Sequence, residues 1–132
     1  MTSSPGDEYD PFAHAARLGL RVEYQSLRTD FGLYVPGRDL ILLRPRMRVA
    51  TERSVLAHEI LHHLHQDRQV AGVYSLRQER RADEGAAENL IDLARWKEVT
   101  SWSRDPAEWA VELRVTGDIL LAYLRTHRRA VA

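Results

Sequence analysis

Two histidines and a glutamate form the clearest chemical pattern in the chain. His58 and His62 are four residues apart, and Glu59 directly follows the first histidine. On a helix, residues four apart lie one turn above each other on one face, so both imidazoles can bind one metal ion. The pattern His-Glu-x-x-His is typical of zinc metallopeptidases. Because the chain contains no cysteine, a metal site must use His, Asp and Glu.

The segment around this pattern is predicted to be one amphipathic helix. It would begin at an N-cap of Thr51, or alternatively Ser54, and end near Gln66. At about 100° per residue, the motif occupies one arc, and the opposite arc is apolar: Leu56, Ala57, Ile60, Leu61 and Leu64. The alternative is a histidine-rich surface helix, since His63 and His65 adjoin the motif. These two histidines are interpreted as surface residues rather than ligands.

A catalytic zinc ion usually takes three protein ligands and leaves one position for water. The next helix, predicted over residues 76–96, places Glu79 and Asp83 on its apolar side. Three further acids share its charged face with arginines: Glu84, Glu88 and Asp92. A buried carboxylate is costly unless it is paired or bound to metal, so Glu79 is the predicted third ligand. Asp83 is predicted to orient a ligating histidine, and the alternative is a buried ion pair between Glu79 and an arginine.

The remaining segments predict an α+β fold. Ahead of the motif, the patterns indicate a short helix over residues 12–18, a strand over 21–27 and a Pro-Gly hairpin of 32–35 with 39–43. We expect a small antiparallel sheet of about three strands, packed on the motif helix. The C-terminal half should be helical, with one helix starting at Pro106 and another over residues 119–126. We expect a single domain over residues 11–127, between a disordered lead-in (1–10) and a frayed tail (128–132).

Composition narrows the class of protein. The 132 residues are 44% hydrophobic and 29% charged, which fits one soluble domain. Nineteen basic residues balance nineteen acidic ones, so net charge does not favour nucleic-acid or anionic-membrane binding. No apolar run approaches the roughly 18–20 residues that span a bilayer. The polar, acidic N-terminus is unlike a secretory signal, and we expect a cytoplasmic protein.

A nucleic-acid binder is the alternative that the basic residues suggest. Four arginines form a local basic patch: Arg44, Arg46, Arg48 and Arg53. Residues 106–124 resemble a helix-turn-helix pair. Their apolar residues are better interpreted as the core-facing side of a helical cap: Trp109, Val111, Leu113, Val115, Ile119, Leu120 and Leu124. Because the patch also lacks interleaved aromatic residues, nucleic-acid binding is not expected.

Residues 58–62 followed by residues 79–91 resemble the ImmA/IrrE family of metallopeptidases, especially its short actinobacterial and phage versions. The hairpin of residues 32–43, residues 53–57 and residues 110–116 are also similar to that family, so the resemblance covers roughly residues 15–125. It implies a gluzincin-like site that holds one Zn²⁺ per chain through His58, His62 and Glu79. It implies Glu59 as the catalytic acid and base.

The resemblance also implies a protein substrate, namely a helix-turn-helix repressor of a phage or mobile element. Two positions depart from the family pattern: Gly85 stands where a bulky residue is common, and Leu61 stands where glycine is usual. Neither residue is a predicted ligand. The alternative is a zinc-containing regulatory binding protein that acts on a repressor or other partner without proteolysis, although the intact Glu59 argues against a dead enzyme.

Peptide hydrolysis would also need a donor to the tetrahedral oxyanion. Tyr34, Tyr74 and His63 are the candidates, and the sequence does not choose among them. The substrate is expected to add as a strand along the edge of the hairpin that contains residues 40–43.

Overall fold

The computed structural model describes residues 8–127. The predicted tail and most of the predicted lead-in lie outside the described residues. The elements in chain order are α1 (Pro11–Arg17), β1 (Arg21–Tyr24), β2 (Gly32–Val35), β3 (Leu40–Leu43), α2 (Val49–Leu64), α3 (Leu76–Leu90), α4 (Leu93–Trp102), α5 (Pro106–Leu113) and α6 (Gly117–Thr126). The predicted α+β class, with three strands on the motif helix and a helical C-terminal half, is confirmed.

The sheet is mixed, with strand order β1-β3-β2. β2 and β3 form the predicted antiparallel hairpin, in which Tyr34 lies opposite Ile41. β1 instead runs parallel to β3, with Arg21 opposite Leu40, so the prediction of an antiparallel sheet was wrong for β1. The reason lies in the connection: residues 25–31 carry the chain from β1 past β3 to β2, and no tight turn fixes the direction of β1.

α2 is the central element, because it lies between two apolar clusters. On one side, Leu56 and Ile60 pack with the inner residues of the sheet. On the other, Ala57 and Leu61 pack with α3 and the C-terminal helices. Of the predicted core residues of the helical cap, Val111 is an error, since it is 73% exposed.

The start of α2 differs from the prediction. The helix begins at Val49 with Arg48 as its N-cap, and within the described residues no side chain bonds to this cap. Thr51 lies inside the first turns. Ser54 is buried, and its hydroxyl accepts a hydrogen bond of 3.1 Å from the backbone N–H of Thr116. Ser54 therefore ties α2 to the start of α6 rather than capping a helix.

The predicted long helix over residues 76–96 is two helices. Ile91 is extended, and the Asp92 side chain accepts from the backbone N–H of Arg95 as the N-cap of α4. Aspartate is among the strongest N-cap residues, and here that local preference overrides the helical periodicity. Within residues 8–127, none of the helices combines the length and the hydropathy that a membrane span requires.

Candidate metal centre

α2 presents the motif side chains toward α3 and β2. The Nε2 atoms of His58 and His62 are 3.1 Å apart. His62 is completely buried, and Glu59 is 6% exposed. His58, Glu59 and His62 therefore form a compact group that can hold a metal ion.

Glu79 approaches this group from the first turn of α3. A capping box fixes that turn, in which Ser75 and Gln78 each bond to the backbone N–H of the other. Glu79 Oε1 lies 2.7 Å from His62 Nε2 and 3.2 Å from His58 Nε2. Two imidazole nitrogens and one carboxylate oxygen thus converge on one point.

The spacing of these three atoms fits a single zinc ion. Tetrahedral zinc with bonds of about 2.0–2.1 Å separates neighbouring ligand atoms by about 3.3 Å. The three observed separations are 3.1, 2.7 and 3.2 Å, so only small movements would complete such a set. The donors, two imidazoles and a carboxylate, are also a common combination in catalytic zinc sites.

The electrostatics of the group favour a positive charge. Burial lowers the pKa of His58, but hydrogen bonds to Asp83 and Glu79 outweigh it and raise that pKa to about 10. The bonds from His58 and then His62 lower the pKa of Glu79 to about 2. Surrounding carboxylates therefore stabilise a cation at the point where the ligand atoms meet.

Glu79 and Asp83 face α2, as their side of the helix predicted, but they are less buried than expected. Asp83 Oδ1 lies 2.7 Å from His58 Nδ1. The Glu79 side chain is 46% exposed and that of Asp83 is 29% exposed. Both carboxylates therefore lie on the side of the site that is open to solvent. The predicted alternative, an arginine partner for Glu79, is not found among the described residues.

Glu59 is held by the edge strand β2. Its Oε1 accepts a 2.8 Å hydrogen bond from the backbone N–H of Tyr34. Gly32 permits this close approach, because a Cβ there would lie 2.5 Å from Val55 Cγ1 and 3.4 Å from Glu59 Cγ. Burial raises the pKa of Glu59, although the charges of His58 and His62 and the Tyr34 bond oppose the shift. A raised pKa brings the carboxylate closer to neutral pH, which suits a group that takes up and releases a proton.

The three candidate oxyanion donors have different surroundings. The Tyr74 ring stacks on His62, with centroids 3.7 Å apart and planes 8° from parallel. Its hydroxyl is buried and has no hydrogen-bond partner among the described residues. The Tyr34 hydroxyl lies 3.0 Å from Nδ1 of His63, so these two groups already satisfy each other.

Sequence reasoning missed Asp67, which directly follows the predicted end of the motif helix near Gln66. Asp67 is 3% exposed, and its Oδ2 lies 2.9 Å from His62 Nδ1. The other oxygen accepts a 2.6 Å bond from Arg81. The signal that could have found it is an acidic residue just beyond the end of the motif helix, where the chain folds back on the last turn.

The two departures from the family pattern contact each other. A Cβ at Gly85 would lie 2.5 Å from Leu61 Cδ1 and 2.8 Å from its Cγ. The Leu61 side chain thus fills the space that a larger residue at position 85 would need. Compared with the family pattern, the larger side chain therefore lies on α2 instead of α3. Neither residue belongs to the group of candidate metal ligands.

The predicted basic patch is not one surface. Arg53 is 8% exposed, and its guanidinium donates to the carbonyls of Arg114 and Tyr9, each at 3.4 Å. Arg44 lies 4.5 Å from the Phe31 ring centroid and donates to the Leu27 carbonyl. These contacts give both arginines a structural role.

A helix that carries His-Glu-x-x-His, packed under a small sheet, is typical of metallopeptidase domains. The model of one family, the IrrE N-terminal-like domain (Peptidase_M78), matches residues 15–125. Because this match spans most of the chain, the protein belongs to that family, as the resemblance of its motifs had indicated. Among curated proteins, no match was found.

Proposed function

We propose that the chain is a zinc-dependent metalloendopeptidase in which His58, His62 and Glu79 hold one Zn²⁺. The observation that supports this most strongly is the convergence of His58 Nε2, His62 Nε2 and Glu79 Oε1 within 3.2 Å of one another. A buried carboxylate, that of Glu59, adjoins the same point. Asp83 orients His58 through the 2.7 Å contact with its Nδ1.

In this proposal Glu59 is the general base and then the general acid. When bound, the ion supplies Lewis acidity, which polarises the scissile carbonyl and activates water. The Tyr34 N–H fixes Glu59 Oε1, and Oε2, 3.8 Å from His58 Nε2, lies beside the ligand atoms. The carboxylate accepts the proton of the attacking water and delivers it to the leaving amine.

Tyr74 is the proposed donor to the oxyanion. Tyr34 and His63 already bond to each other, whereas the buried Tyr74 hydroxyl has no partner within residues 8–127. A buried donor without a partner is costly in the resting protein, and a developing oxyanion would satisfy it. Burial and then the charge of Glu59 raise the pKa of Tyr74, so the hydroxyl keeps the proton that it must donate.

The substrate is proposed to be an extended segment of a protein. The sequence suggested the edge at residues 40–43, but β3 is the central strand and both of its edges are paired. β2 is an edge strand, and its Tyr34 N–H points at Glu59. A segment that adds to this side of the sheet would lie over the motif.

The family resemblance supports a helix-turn-helix repressor of a phage or mobile element as the protein that supplies this segment.

Co-expression with helix-turn-helix repressors encoded near the gene tests this proposal. One repressor should be shortened by the wild-type chain and remain intact with Glu59→Gln. This variant is nearly isosteric and removes no ligand, so bound zinc and fold should be retained. Loss of general acid–base catalysis is typically worth about 10²–10⁴-fold, and in vitro cleavage should fall by that order.

A binding protein would give a different result. If wild type and Glu59→Gln relieve repression equally and the repressor stays uncut, the enzyme proposal fails while the metal site stands. Glu84→Ala is the matched control, because Glu84 also lies on α3 and has no hydrogen bond or ion pair among the described residues. It should cleave as the wild type does.

A further inference from the structure

We propose that Asp67 is a positioning residue that holds the His62 ring with Nε2 toward the metal site, and that Arg81 holds the Asp67 carboxylate in place. This inference rests on the proposed metal site. In this proposal the buried Asp67 carboxylate, held by the half-exposed Arg81, sets the affinity of that site for metal.

The end of α2 brings Asp67 to His62. Gln66 adopts a left-handed backbone with φ of 54°. Its N–H donates to the His63 carbonyl at 3.0 Å, and the N–H of Asp67 donates to the His62 carbonyl at 2.9 Å. These two bonds are those of a Schellman motif, in which the chain folds back over the last helical turn. The same backbone turn that ends the helix therefore places the Asp67 side chain beside the His62 ring.

The two oxygens of Asp67 have separate partners. Oδ2 lies 2.9 Å from His62 Nδ1, and Oδ1 accepts from Arg81 at 2.6 Å. The Asp67 side chain is only 2% exposed, so an ionised carboxylate there depends on these contacts. With both oxygens engaged, the carboxylate cannot rotate without losing a charge-assisted bond.

This arrangement fixes the orientation of the His62 ring. When Nδ1–H donates a hydrogen bond to the Asp67 carboxylate, Nε2 is the nitrogen that is free to bind a metal ion. Nε2 is the atom that lies 2.7 Å from Glu79. The Tyr74 ring covers one face of the imidazole. His62 is thus held at its edge and at its face before any ion binds.

The equivalent carboxylate contact on His58 is more exposed to solvent. Asp83 bonds to His58 Nδ1 at 2.7 Å, but its side chain is 29% exposed, against 2% for Asp67. A hydrogen bond in a drier environment is stronger and more costly to lose. The affinity of the site for metal should therefore depend more on Asp67 than on Asp83.

Zinc affinity, measured by competition with a chromophoric chelator, tests the proposal. Such orienting partners are typically worth 10–100-fold in affinity. Asp67→Ala should weaken zinc binding by about that factor, and more than Asp83→Ala. Asp67→Asn, which keeps an acceptor but loses the charge, should give a smaller loss. Arg81→Ala should also weaken binding, whereas the neighbouring exposed Arg80 provides the control Arg80→Ala, which should not.

A second measurement separates positioning from a merely structural role. In the zinc-loaded protein, the Nδ1–H resonances of His62 should report a strong hydrogen bond in the wild type and a weaker one in Asp67→Asn. Wild-type zinc affinity and unchanged His62 Nδ1–H resonances in folded Asp67→Asn would overturn the proposal. If Asp67→Ala does not fold, the zinc affinities of Asp67→Asn and Arg81→Ala test the proposal instead. A wild type that binds no zinc overturns the metal site itself, and this role with it.

Discussion

At the residue scale, the two tyrosines near Glu59 differ in what their hydroxyls contact. The Tyr34 hydroxyl lies beside His63, and the Tyr74 hydroxyl is buried without a partner in the described chain. We therefore expect Tyr74→Phe to lower kcat by about 10²–10³-fold, the usual loss when one oxyanion donor is removed. Single-turnover cleavage of a substrate peptide measures this.

Tyr34→Phe is the matched control, because it removes a hydroxyl at the same site that already has a partner. It should lower kcat by less than tenfold, and both variants should keep one zinc per chain. Equal losses in the two variants, or loss of zinc in Tyr74→Phe, would contradict the assignment of Tyr74 as donor.

Residue types and spacing predict some of these residues and not others. The four-residue interval brings His58 and His62 together, and the helical face predicted for Glu79 and Asp83 is the one that contacts His58. Asp67 could not be predicted in this way, because its place depends on a backbone turn after the helix rather than on a helical face. The choice among oxyanion donors also needed the structure, since it depends on which hydroxyl already has a partner.

At the element scale, the contact of Leu61 with Gly85 sets how closely α2 and α3 approach. A Cβ at position 85 would lie within 2.8 Å of two Leu61 atoms, and Leu61 is 6% exposed, so it has little room to move. Gly85→Ala should therefore lower the free energy of unfolding by about 1–3 kcal/mol, as overpacked substitutions do. Urea denaturation of the metal-free protein measures this.

The same substitution should have the opposite sign in a Leu61→Ala background. The smaller residue removes the clash, and alanine is favoured over glycine inside a helix by about 0.8–1.0 kcal/mol. The interaction term of the double-mutant cycle should be about 1 kcal/mol or more. If Gly85→Ala has the same effect in both backgrounds, the two residues are not coupled.

Patterns of residues predicted the elements better than their ends. The apolar arcs and the Pro-Gly turn correctly indicated the motif helix and the β2–β3 hairpin. The start of α2 and the break at Ile91 were missed. Both of these helix ends depend on capping residues. In the sequence alone, a polar residue such as Asp92 is compatible with the exposed face of one helix and with the N-cap of the next.

At the scale of the whole molecule, the candidate centre links two consecutive helices. His58 and His62 belong to α2, and Glu79 belongs to α3. A ligand that binds only the folded state stabilises it by about 2.7 kcal/mol at 100 times its Kd. Zinc should therefore raise the Tm by about 5 °C or more, and a chelator should reverse the rise.

His62→Ala provides the control for this measurement. Its Tm should not depend on zinc or chelator, because the site has lost a ligand. A chelator-sensitive Tm in His62→Ala would mean that the stabilising metal binds elsewhere.

The arrangement of the strands could be predicted only in part. The number of strands and their packing on the motif helix follow from alternation and the apolar arc. The parallel pairing of β1 with β3 does not, because residues 25–31 form no tight turn that would fix the direction of β1.

The central claim is that His58, His62 and Glu79 together hold one zinc ion, and metal content tests it most directly. Zinc per chain, measured by elemental analysis after gel filtration, should be about one in the wild type and in Glu84→Ala. It should fall to nearly zero in Glu79→Ala, because a catalytic zinc site that loses one of three protein ligands is severely weakened. Full zinc in Glu79→Ala, or its loss in Glu84→Ala, would contradict the account.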